Sequence, residues 1–71
     1  MKKHYELSAV KGNPLGWTGS LCGAFKYPKQ AFMAVISGFF NVSRNDFGVK
    51  RIDGTLYGVR LSDGAKIAVF S

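Results

Sequence analysis

The sequence predicts a small α+β domain of order β-β-α-β-β-β, an antiparallel sheet that ends in a three-stranded meander and carries one helix on one face. Three observations lead to that class. A turn signal occurs twice, ten residues apart, as Ile52-Asp53-Gly54 and Ser62-Asp63-Gly64, each time between runs rich in Val, Ile, Leu, Tyr and Phe. Pro28 precedes apolar residues at helical spacing. Residues 4–10 alternate, placing Tyr5, Leu7 and Ala9 on one side, as a half-buried strand does.

Each element follows from local chemistry. After the first strand, Lys11-Gly12-Asn13-Pro14-Leu15-Gly16 is a loop by its glycine and proline content. The run from Trp17 to Tyr27 reads as a second strand, with Trp17, Leu21 and Phe25 on one face. Gly19 and Gly23 share that face, which predicts a bulge or a close backbone approach. The helix covers about residues 28–40, with Ala31, Phe32, Val35, Ile36 and Phe39 as its buried stripe and Gly38 and Asn41 near its end. Ser43-Arg44-Asn45-Asp46 is a turn.

The meander strands fall near 47–52, 55–61 and 65–70. A three-residue loop at each Asp-Gly, with glycine left-handed beside a bulge, collects the apolar residues on one face. Phe47, Val49, Tyr57, Val59, Leu61, Ala65, Ile67 and Val69 then point at the helix. Lys50, Leu56, Arg60, Lys66 and Phe70 point away from it, with Arg51 at the rim. A one-residue slip would exchange the two sets, so this expectation depends on the turn type. Whether the first strand pairs with the second or with the last is left open by the pattern.

Seventy-one residues allow one domain, spanning 1–71, and leave a self-sufficient core near its lower size limit. A homodimer is compatible with so short a chain. The single cysteine, Cys22, excludes an internal disulfide and a cysteine-cluster zinc site, and reads as a small buried hydrophobe. With a free thiol and no apolar leader after Met1-Lys2-Lys3, the expected location is cytoplasmic. The apolar cluster at 32–40 is too short to span a bilayer, so no membrane partner is expected.

Catalytic chemistry has little to draw on. His4 is the one histidine, and the acids are Glu6, Asp46, Asp53 and Asp63, two of which are turn formers. His4 and Glu6 share a face of the first strand, but general acid–base work also needs an oriented partner and a nucleophile. No metal-ligand spacing and no phosphate-loop motif occurs, so neither metal nor cofactor is expected and the chain is read as non-enzymatic.

Ten Lys and Arg against four acids give a net charge of +6, which favours an anionic partner. The expected contact face is Lys50, Arg51, Leu56, Arg60, Lys66 and Phe70, where cations meet phosphates and an aromatic ring meets bases. Trp17 reads first as an anchor of its loop against the core and, as a secondary candidate, as an exposed hot spot, while Met33 and Phe40 are either covered by the N-terminal strands or form an apolar patch on the helix for a partner. The leading expectation is a stoichiometric module that docks a basic face on nucleic acid. The alternative is an inhibitor or adaptor of the phage or mobile-element kind, engaging an acidic or nucleic-acid-binding surface of a host or defence protein complex.

Overall fold

Alternation at the N-terminus produces β1 (Lys3–Ala9), and the run after the glycine-rich loop produces a shortened β2 (Ser20–Phe25) in the computed structural model, which describes residues 3–70. The second strand begins later than the pattern predicts because the loop keeps its last residues. Gly16 and Gly19 take φ of 71° and 109°, and the Asn13 side chain folds the segment back. Its Nδ2 donates to the carbonyls of Val10 and Trp17, each at 2.8 Å, and its Oδ1 accepts from the Trp17 amide at 3.0 Å. Asn13 is buried with every polar atom used.

The helix α1 (Pro28–Phe39) starts with proline at its first turn, as expected, and the Gln30 carboxamide accepts from the Lys26 amide just ahead of it. Ala31, Phe32, Val35 and Ile36 are buried. Phe39 was expected to join them but is 62% exposed, because it is the last helical residue and only one side of its ring leans on Trp17, at 6.5 Å between centroids. A single turn of 3₁₀ helix (Arg44–Asp46) leads into β3 (Phe47–Ile52), β4 (Thr55–Arg60) and β5 (Ala65–Phe70).

All five strands form one antiparallel sheet of order β2-β1-β5-β4-β3, so β1 lies inside it and pairs with both the second and the last strand. The α+β class and the meander stand as predicted.

The register differs. Ile52 pairs with Thr55, so Asp53-Gly54 is a two-residue loop, with φ of 51° and 81°. Positive φ at both positions is a type I′ turn, whose twist matches the strands it joins. The second corner is a four-residue loop between the paired Arg60 and Ala65, closed by a Gly64 amide that donates to the Arg60 carbonyl at 2.7 Å. Gly64 is left-handed, as expected. The bulge lies elsewhere, inside β5: Gly58 pairs with Ala68 but Val59 with Lys66, which leaves Ile67 as the extra residue.

That register reverses the faces of β4. A Cβ placed on Gly58 would lie 2.4 Å from the Phe32 ring, so Gly58 faces the helix. Leu56 and Arg60 share its side, whereas Tyr57 and Val59 point to the reverse. Phe47, the partner of Arg60, meets Phe32 edge-on at 6.2 Å, which fixes β3 in the same sense. The core comprises Leu7, Trp17, the four helix residues, Phe47, Ile67, Ala68 and Phe70. Val59 is 1% exposed but lies outside that cluster. Its cross-strand neighbours are Gly48 and Lys66, and Leu61 folds over Gly48 from the β4–β5 loop. Leu61 itself is exposed rather than buried, because it belongs to that loop and not to the strand.

Two glycine substitutions separate packing from chain entropy. Gly58→Ala pushes a methyl group into Phe32 and should destabilise by about 1–3 kcal/mol. Gly38→Ala meets nothing within 4 Å inside the helix and should stabilise by about 0.5–1 kcal/mol. Urea unfolding of the two variants beside wild type checks both signs.

Candidate functional site

One helix covers one side of the sheet; among the described residues no second element covers the reverse side, which is bare except where Leu61 closes over Gly48 and Val59 is buried beside it. The residues that strand alternation sends there include His4, Glu6, Ser20, Cys22, Ala24, Lys50 and Lys66, all exposed. Tyr57 and Val69 lie among them, half-buried. The pairings align these residues into a row across the whole sheet: Lys50 opposite Tyr57, Tyr57 opposite Val69, Val69 opposite Ser8, and Ser8 opposite Ser20.

Tyr57 is the centre of the row's basic end. The Lys66 ammonium sits over its ring, 4.6 Å from the centroid, and Lys50 is its direct partner on β3. A cation over an aromatic face is attracted by the ring quadrupole, so Lys66 is held on the sheet instead of sweeping through solvent.

The predicted contact set is thereby divided. Lys50 and Lys66 are on the bare face. Arg51 and Leu56, which pair with each other, lie on the helix side. Arg51 donates from Nη1 to the Gly54 carbonyl at 3.1 Å, and Leu56 packs against the core. Phe70 is a core residue, paired with Leu7 and edge-on to Tyr5 at 5.9 Å. Arg60 shares the helix side with Phe47 and Ala65. The shared face proposed for these six residues is therefore corrected: the two-residue turn at Asp53-Gly54 shifts β4 by one residue and carries Leu56 and Arg60 to the helix side, the bulge at Ile67 separates Phe70 from Lys66, and Arg51 follows Phe47 and Val49 by strand alternation.

Arg60 is also engaged. Its Nε donates to Asp63 Oδ1 at 3.1 Å, and Nη2 donates to Oδ2 of the same carboxylate. The Arg60 bond, with the Ala65 amide as a second donor, holds Asp63 down at about 2, and the carboxylate in turn raises Arg60.

The secondary candidates are not an exposed patch. Trp17 is 6% exposed and sits in the core as the anchor of the β1–β2 loop, while Met33 and Phe40 are half-buried against the same core. Cys22, expected inside, is exposed on the bare face. It pairs with Glu6, and its Sγ lies 2.8 Å from His4 Nε2. Odd-numbered residues of β1 and β2 take the helix side, which leaves the even-numbered Cys22 outside. Among the described residues no group of three His, Cys, Asp or Glu side chains gathers as a metal ion would require, and no helix is long and apolar enough to cross a membrane.

The residue that sequence reasoning missed is Tyr57, which it placed in the core. The signal was present: Asp-Gly favours a two-residue type I′ loop, and that loop alone sets Tyr57 opposite Lys50. The chain matches no protein-family model, no curated protein and no solved structure.

The Arg60–Asp63 pair makes a pH prediction. The carboxyl is lower in the folded chain than its unfolded value near ~3.9, so its contribution is complete above that value and fades as pH falls through about 2. A carbon-detected NMR titration should place the Asp63 midpoint at about 2, and Arg60→Ala should return it toward the unfolded value. An unmoved midpoint in that variant would leave the backbone amides of Ala65 and Asp63 as the cause.

Proposed function

We propose that this chain is a non-enzymatic binding module that docks its bare sheet face on an anionic macromolecule, with nucleic acid the favoured partner. The observation that carries this reading is the Lys50–Tyr57–Lys66 group, two cations flanking one aromatic ring on an uncovered surface. Sheet faces that hold nucleic acid combine those parts: ammonium groups neutralise phosphates, and a flat ring receives a base.

The distribution of charge supports the same face. Net charge is +6, and Arg60 is already neutralised by Asp63 on the other side of the sheet. Lys50 and Lys66 are exposed, and no ion pair joins either of them to an acid among the described residues. Long-range attraction brings a polyanion to the protein, and these two side chains then fix which surface it meets.

The test is a titration of a labelled oligonucleotide at two salt concentrations. Affinity should fall steeply with salt, because each phosphate contact contributes roughly 0.7–0.9 to the slope of log K against log salt. Changing Lys50 and Lys66 together to Glu should weaken binding at least tenfold and reduce that slope by roughly 1.4–1.8. Arg60→Ala should leave the affinity within about twofold, since it removes a cation that is already paired. No binding at low salt would set the reading aside. Capture of a protein partner that survives nuclease would favour the inhibitor or adaptor in its place.

A further inference from the structure

We infer that the bare face takes single-stranded rather than duplex nucleic acid, with one unpaired base stacked on Tyr57 and the strand lying across the sheet toward the β1–β2 loop. This rests on the docking reading above and adds the form of the partner.

The orientation of the ring comes first. Lys66 Nζ lies over the Tyr57 ring at 4.6 Å from its centroid, so in the unliganded chain the ammonium occupies that face of the half-buried ring, the position a stacked base would take. A base stacked on an aromatic side chain contributes more than an exposed cation over the same ring. An arriving base therefore displaces the ammonium, which moves onto a neighbouring phosphate and loses no electrostatic partner.

The lane beyond Tyr57 is low. Val69, Ser8 and Ser20 continue the row, and none of them carries a side chain large enough to obstruct a base lying on the sheet. Strands spaced at about 4.8 Å give this row a length of roughly 19 Å. Toward its far end, one strand before Ser20, Ser8 also lines a cleft of about 370 Å³ in the β1–β2 loop, together with Lys11 and Thr18. Lys11 is the charged residue in that lining, which brings a cation to the loop beyond the row. Glu6, two residues from Ser8 on the same strand, bounds the lane with a negative charge.

Duplex nucleic acid does not fit this arrangement. Its base faces are hidden in the stack, so Tyr57 gains nothing from them. A duplex groove admits a helix or a two-stranded ribbon, whereas this surface is the broad face of a five-stranded sheet.

Fluorescence anisotropy on the full chain tests the inference with three probes: a labelled 12-nucleotide single strand, the same sequence as duplex, and a single strand with abasic sites. The single strand should bind at least tenfold tighter than the duplex. The abasic strand, with the same phosphates, should lose about tenfold, and so should Tyr57→Ala with the intact strand, while Tyr57→Phe retains most of the affinity. The abasic probe uses unaltered protein, so the result stands even where Tyr57→Ala fails to fold. Equal affinity for all three probes, with the Lys50 and Lys66 reversal still abolishing binding, would overturn stacking and leave the anionic docking reading intact. Binding to none of the three would remove both.

Discussion

Everything in this fold is referred to the contact between Phe32 and Gly58. The helix can rest on the sheet at that point because the strand there lacks a side chain; an ideal Cβ would lie 2.4 Å from the ring. A phenyl group in the centre of an interface between helix and sheet needs such a recess, since protein interiors are packed too tightly to absorb the overlap. Once Gly58 faces the helix, strand alternation gives no further choice. Leu56 and Arg60 go with it, and Tyr57 and Val59 go to the reverse side.

The bulge in β5 reconciles that choice with the composition of the last strand. In a regular strand Lys66, Ala68 and Phe70 would share one face. Inserting Ile67 against the Gly58–Val59 step turns Lys66 outward while Ile67, Ala68 and Phe70 remain in the core. An ammonium that would otherwise sit beside Ala68 under the helix instead lies over Tyr57. The same irregularity thus completes the core and assembles the basic face.

The fold was largely legible in the sequence because its strongest signals are local. Pro28 and the spacing of Ala31, Phe32, Val35 and Ile36 define the helix without reference to the rest, and the two Asp-Gly corners delimit the meander strands. The faces were not legible, because the run Leu56-Tyr57-Gly58-Val59 has apolar residues in both phases. Apolar count favours Tyr57 and Val59 as the buried pair, yet the deciding residue is Gly58, whose value lies in what it omits. The bulge was equally hidden, since Ala65 to Phe70 reads as apolar on either side of Lys66. Cys22 illustrates the limit of residue type, since the usually buried thiol is outside by parity, whereas Trp17 anchors its loop in the core, as its place at the junction of loop and strand indicates, with Asn13 folding that loop.

A bare sheet face is not in itself a sign of function. A chain of 71 residues with one helix can cover only one side of five strands, and antiparallel sheets commonly leave the other side to water. What distinguishes this face is how its residues are paired. An aromatic ring in the wet row of a sheet is stable beside a β-branched neighbour such as Val69, and cross-strand packing of that kind explains its presence without a partner. The same explanation does not require cations on both flanks: among the described residues no carboxylate pairs with Lys50 or Lys66, whereas Arg60 on the opposite side pairs with Asp63. Like charges on the two flanks of a half-buried ring add nothing to the stability of an unliganded fold, and an anion placed between them is attracted by both. What sets this surface apart is therefore less the number of positive charges than two of them flanking Tyr57 with no acid paired to either among the described residues.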